Sequence, residues 1–234
     1  MNNSGFKDFL HGCRLALPIG AGYIPLGFAC GVVCSDAGMT VFQCALMSLL
    51  VYAGAGQYIA GGMIASGASP LSIIITIFIV NGRHILYTSA LYPYIAKWSI
   101  FKQSVFAAQI TDEVFAMQSA VMSKNDVSTE TAFGINILSH AAWIGGNILG
   151  AFSSEFLPDS EKFGLDFTLY ALFIALILPR ITDKAQIAAA LASGVAAVIF
   201  ALHDMAYIGV VIGAVAGASI GYFFQRRFKD GDAL

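Results

Sequence analysis

The chain has 234 residues, 58% of them hydrophobic and 11% charged, where a soluble domain carries about 25% charged residues. A mean hydropathy of +0.76 over the whole length excludes a soluble enzyme and a disordered chain. A net charge of −2 leaves no basic field to attract nucleic acid. A bilayer crossing uses about 20 apolar residues, so eight crossings take about 160 and leave the rest for turns and ends. The expectation is an all-α, polytopic transmembrane bundle over 1–234, treated as one integral membrane domain. Strand-like alternation is absent, and an open sheet edge cannot sit in lipid.

In chain order, MNNSGFKDFLHGCRLALP has a weak basic flank and no clean apolar region before a small-residue cleavage site. It reads as a retained segment rather than a signal peptide. Apolar stretches punctuated by polar or Gly/Pro turns then give spans at 15–35, 40–66, 70–95, 102–122, 131–152, 165–179, 184–202 and 206–225. Cys13, Cys30, Cys34 and Cys44 all fall within or beside the first apolar runs, with no C-x-x-C pair; they read as small buried hydrophobes. The second span is interrupted by Gly54-Ala55-Gly56-Gln57, and the sixth ends at Pro179. Both places are expected to break their helices. The fifth holds His140 near Trp143, a hydrogen-bonded packing position, whereas His11 and His203 lie at ends or loops. The last carries Gly209, Gly213, Gly217 and Gly221, a ridge for close helix approach within the chain or along a partner seam.

Lys7, Arg14, Lys124, Arg180, Lys184, Arg226, Arg227 and Lys229 fall on one side of an eight-span topology, and Lys97, Lys102 and Lys162 on the other. The positive-inside rule therefore puts both ends in the cytoplasm. Seven spans would leave the basic carboxyl end outside. A weak internal repeat aligns Gly38–Leu50 with Gly164–Leu176, where 4 of 13 residues match. If real, it sets the two interruptions in corresponding places, the best sequence pointer to a transporter's substrate site.

An ionised side chain inside the membrane costs about 2.5–3.5 kcal/mol and calls for a reason. Three clusters raise the question: Asn81-Gly82-Arg83-His84, Thr111-Asp112-Glu113 with Gln109 just before it, and Gly164-Leu165-Asp166-Phe167. Adjacent helical residues point about 100° apart, so one of Asp112 and Glu113 can pair with Arg83 while the other faces a cavity. The sequence leaves open which. A structural clasp needs one acid for Arg83; two acids and a histidine beside it suit a transport pathway. Gly54 and Gly56 allow a helix to unwind, and freed N–H groups at a half-helix start can bind an anion. Plain close packing of helices explains the same glycines. Asp166 suits a helix N-cap. No nucleophile elbow, P-loop or metal-ligand cluster is present in the sequence, so neither an enzyme nor a cofactor is expected.

The stretches VYAGAGQY (Val51–Tyr58), NGRHILY (Asn81–Tyr87), TDEVFA (Thr111–Ala116) and GLDF (Gly164–Phe167), with LPIGAGYIPLGFACG before them, resemble the AzlC family, the large subunit of bacterial branched-chain amino acid exporters. The resemblance covers about residues 8 to 225. Two positions depart from the family pattern: Ala55 lacks a hydroxyl usual there, and Gly82 replaces a larger apolar residue. The resemblance implies export of leucine, isoleucine, valine or related hydrophobic amino acids across a bacterial inner membrane. It also implies a small membrane partner resembling AzlD, and it is compatible with proton coupling. In that reading Arg83 meets the substrate carboxylate, helped by the backbone around Gly54, Gly56 and Gln57. Asp112 or Glu113 meets the ammonium or carries a proton, with His84 as relay. Asn81, Tyr58 and Tyr87 complete the pocket, and Asp166 is structural or a further site residue. A passive channel and a non-transporting scaffold subunit are the competing expectations.

Overall fold

A computed structural model describes residues 3–124, 127–154, 183–203 and 206–231, with isolated positions at 156, 167, 171, 174, 178 and 181. The chain forms two compact units, 1–169 and 170–234. Every regular element among the described residues is helical. Three segments there are long and apolar enough to cross a membrane by themselves: Leu17–Asp36, Pro70–Ile95 and Lys184–Ala201.

In the first unit, α1 (Asn3–Leu15) runs into α2 (Leu17–Asp36), with Pro18 placed where a helix start loses no hydrogen bond. Gly38, at φ +89°, ends α2. The amide of Met39 reaches back to the Cys34 carbonyl and that of Gly38 to Ser35, a left-handed cap that only glycine adopts without strain. Thr40 then opens α3 (Val41–Leu50) through a reciprocal capping box with Gln43. The regular helix stops at 51–53, where the Val51 amide still reaches Met47 and the Ala53 amide reaches Val51, and resumes in α4 (Gly54–Ala65), so the second span is broken just before the glycines. Gly67, at φ +71°, closes α4.

The third span tightens locally rather than breaks. α5 (Pro70–Asn81) and α6 (Arg83–Ile95) join at Gly82, whose amide takes the tighter i−3 bond to Ile79. The fourth span differs from the continuous helix expected over 102–122. It splits into α7 (Ile100–Ala107) and α8 (Asp112–Met122). Thr111 is extended and its hydroxyl accepts from the Val114 amide, so the chain starts a new helix there. A residue that caps, followed by two acids, is a helix-start signal that outweighs the surrounding hydropathy.

α9 (Thr129–Ser154) is the spine of the unit, packed along α1 and α2. Their backbones meet through glycine. A Cβ on Gly31 would run into the Asn147 carbonyl, one on Gly150 into the Phe28 carbonyl, and one on Gly134 into the Phe9 carbonyl. Such small-residue seams replace the hydrophobic drive that helices lack in lipid. Beside the seam, Leu91, Ile95, Phe106, Ile110, Val114 and Ile135 form the apolar core, with Trp98 set edge-on to Phe106 at 5.3 Å.

The second unit contains α10 (Lys184–Ala201) and α11 (Ala206–Gly231) packed together. Asp183 and Gln186 form the capping box that starts α10. The glycine ridge lies inside this hairpin: Gly213 backs onto the Ser193 carbonyl, Gly217 onto Ala189 and Gly221 onto Ala189 and Ala185. The sixth expected span, with Asp166 and Pro179, lies outside the described residues apart from isolated positions.

Candidate functional site

The two helix breaks and the Gly82 junction bring three helix starts onto one polar cluster. At the first break, Gln57 is fully buried, and its carboxamide serves the backbone. Its Nε2 donates to the Val51 carbonyl at 2.5 Å and the Met47 carbonyl at 3.5 Å, which also accept from the Ala53 and Val51 amides. Its Oε1 accepts from the Ser48 hydroxyl at 3.2 Å and from the Trp143 indole at 3.1 Å. Tyr58 donates to the Leu26 carbonyl at 2.7 Å, fastening α4 to α2. Gln57 and Tyr58 therefore hold the break in shape. The start of α4 itself has no side-chain cap. Gly54 lies under Trp143, and Gly56 faces Asn81, whose Oδ1 is buried without a hydrogen-bond partner.

At the second break, Asp112 is 8% exposed and both its oxygens are engaged. Oδ2 pairs with Arg83 Nη1 at 2.8 Å, and Oδ1 accepts from the Tyr87 hydroxyl at 2.5 Å. Tyr87 stacks on Phe115, ring centroids 4.6 Å apart. Arg83 keeps its Nε buried and unpartnered, as is His84 Nε2. The acid facing Arg83 is therefore Asp112. Glu113 points elsewhere: its Oε2 accepts from the Tyr23 hydroxyl at 2.6 Å, and that hydroxyl also meets Thr111 Oγ1 at 2.6 Å. Among the described residues no cation pairs with Glu113, the one ion pair being Arg83–Asp112. Both carboxylates stand in the first turn of α8, where the helix dipole favours negative charge.

Aromatic rings join the two breaks. Tyr23 is set edge-on to Trp143 at 5.4 Å and to Tyr52 at 6.3 Å, and Tyr52 stacks on His140 at 4.0 Å. The sequence reading did not single out Tyr23 or Tyr52. Tyr23 lies 88 residues from Thr111, and nothing in an apolar span marks one tyrosine as the partner of a distant acid. The second break, by contrast, was written in Thr111-Asp112-Glu113. Of the expected residues, Arg83, Tyr87 and Asp112 form one bonded group, Gly56 meets Asn81, and Glu113 sits on the Tyr23 side. Asp166 lies outside the described residues.

The arrangement combines an uncapped helix start, a guanidinium with a donor to spare and a carboxylate without a cation. Comparison with known proteins agrees on the class. The chain matches the family described as AzlC protein over residues 18–157. It is 32% identical to the inner membrane protein YgaZ of Escherichia coli over 94% of both chains. It is 26% identical to the branched-chain amino acid transport protein AzlC of Bacillus subtilis, over 70% of this chain and 64% of that one. An uncharacterized membrane protein of Archaeoglobus fulgidus is 32% identical over 89% of this chain and 92% of its own. No solved structure matches. The family match and the near full-length relative place this chain in the AzlC family of membrane transport proteins.

Proposed function

We propose that the chain exports branched-chain and related hydrophobic amino acids from the cytoplasm, as the large subunit of a two-component system with a small membrane partner resembling AzlD. It lies in the cytoplasmic membrane with both ends on the cytoplasmic side, and the proton gradient drives it. The observation that carries this reading is the opposed character of the two helix starts. The uncapped amides of α4, where Gly56 faces Asn81, and the guanidinium of Arg83 two residues after Asn81 suit a carboxylate. Glu113, held only by a neutral hydroxyl in the bonds seen here, suits an ammonium or an exchanging proton. A zwitterionic amino acid presents both charges. The carbonyls near the end of α3 accept from Gln57 and His140, which favours a proton over a metal cation as the coupling ion there.

The test is efflux of radiolabelled leucine and valine from proteoliposomes, with and without a pH gradient, for the chain alone and with its small partner. The reading expects saturable, gradient-dependent efflux that Arg83→Ala abolishes in a protein still folded and inserted. Flux without uphill accumulation or pH response would instead identify a passive facilitator. The Arg83–Asp112 pair itself favours a second reading, a scaffold subunit in which these charges only clasp helices. In that case Arg83→Asp combined with Asp112→Arg restores stability and function together; in an exporter it restores stability alone.

A further inference from the structure

Helix α9 carries Asn136, His140, Trp143 and Asn147, all buried, at helical spacings that line one face. Four polar side chains on one face of a membrane helix call for a common purpose, and three of them serve the breaks. Asn136 donates to the Phe106 carbonyl near the end of α7 at 3.4 Å, and Trp143 donates to Gln57 at the first break. His140 reaches both breaks. Its Nε2 meets the Ser48 carbonyl near the end of α3 at 3.0 Å. Its Nδ1 meets the Gln109 carboxamide nitrogen, just past the end of α7, at 3.4 Å. A carbonyl only accepts, so Nε2 carries the hydrogen and Nδ1 accepts from Gln109. The ring lies flat on Tyr52, inside the first break, at 18° between planes.

We propose that His140 is a positioning residue that couples the two helix breaks, so that α3 and α7 rearrange together during transport. Any motion at the first break that displaces the Ser48 carbonyl or Tyr52 must break a buried hydrogen bond or slide a stacked ring. The same imidazole is held from the other side by Gln109. Buried polar groups that lose a partner are costly, so the low-energy path keeps the imidazole bonded and carries both ends along. A bistable packed element biased from two places is the physical form such coupling takes. The inference rests on the transport reading but not on the identity of the solute.

The test is amide hydrogen exchange of the full chain in lipid nanodiscs, for the unaltered protein, His140→Phe, Gln109→Leu and Gln118→Leu. Gln109→Leu touches only the second break and leaves the His140–Ser48 bond in place. It is expected to speed exchange across residues 47–56 about fivefold or more. His140→Phe, which keeps a ring for Tyr52 and loses both hydrogen bonds, is expected to speed exchange at 47–56 and at 106–113. Gln118 reaches the second break only through Asn136 and has no bond to His140, so its replacement by Leu loosens α8 without passing through the imidazole and is expected to leave 47–56 within about twofold. An effect of Gln109→Leu confined to 106–113 overturns the proposal. So does an equal loosening of 47–56 by Gln118→Leu, which would mark general destabilisation. If His140→Phe does not fold, the two glutamine variants still decide. Exchange is read with no solute added, so a wrong substrate leaves the test intact.

Discussion

The break at 51–53 and the break at 108–111 use one backbone device and end with opposite character. Each stops a helix within a span, hands carbonyls of the preceding half to side chains, and exposes the start of the following half. α8 fills its own positive pole with a Thr111 cap and the carboxylates of Asp112 and Glu113. α4 begins with Gly54 and Ala55 and has no side-chain cap; in the function proposed above, its positive pole meets the solute carboxylate. An interrupted helix thus has no charge preference of its own; the first-turn residues assign it. Two starts of opposite character in one unit are what the proposed recognition of a zwitterion rests on.

The largest effects are expected within the second break, where adjacent acids have different partners. Glu113→Gln keeps a group that can accept from Tyr23 and removes the charge. A charge-assisted hydrogen bond is worth about 1.5–3 kcal/mol, so losing one to the solute ammonium is expected to cut leucine transport about a hundredfold, while the bond from Tyr23 weakens but persists and the unfolding midpoint falls less than in Asp112→Asn. Asp112→Asn leaves Arg83 facing a neutral amide. Stripping a buried ion pair of one partner costs about 3–5 kcal/mol; with the Arg83 side chain 24% exposed, a loss of about 2–3 kcal/mol is expected, read as a lower unfolding midpoint in detergent. Should the two variants lose stability and transport in equal measure, the distinction between clasp and site is gone.

Much of this was legible from residue types. Glycine at 54 and 56 signalled the first break because a membrane helix gains nothing from adjacent flexible positions unless the backbone leaves the helix or another helix comes close. The three polar clusters marked where to look, because charge in lipid is costly. The rest was not legible, for two reasons. Hydropathy averages over a window, so Thr111-Asp112-Glu113 read as a polar intrusion in a continuous helix although its order spells a helix start. Partner choice across the fold leaves no local trace. The backbone around Gln57 is expected at the substrate, but nothing in the sequence tells that its side-chain donors go to Val51 and Met47; the tyrosine that holds Glu113 comes from α2, 90 residues away.

Gln57 gives the next test, because it separates holding a break from using it. In Gln57→Leu the buried Trp143 indole and Ser48 hydroxyl lose their acceptor, while the Val51 and Met47 carbonyls each keep a backbone donor. Each buried polar group left unmatched costs about 1–3 kcal/mol. Stability and transport are therefore expected to fall together, unlike the split result for Glu113→Gln. Transport lost with stability intact would move Gln57 from the frame of the break to the substrate itself.

The smallest effect bears on the start of α4, which has no side-chain cap. Within a helix, alanine is favoured over glycine by about 1 kcal/mol, so Gly56→Ala is expected to leave stability unchanged or slightly raised. The added methyl would stand 3.3 Å from Asn81 Oδ1 and 3.4 Å from the Ala53 side chain, tight enough to press on the approach to the α4 amides. A solute carboxylate docking there would be hindered, and the KM for leucine is expected to rise about three- to tenfold, a shift of about 1 kcal/mol. Gly62 lies on the same helix with nothing within 4 Å of an added Cβ, so Gly62→Ala has the same propensity gain without the obstruction and is expected to keep the original KM. If both alanines leave KM alone, the start of α4 does not meet the solute. The contrast between the two breaks would then be one of helix architecture, with the recognition of charge falling to Arg83 and Glu113.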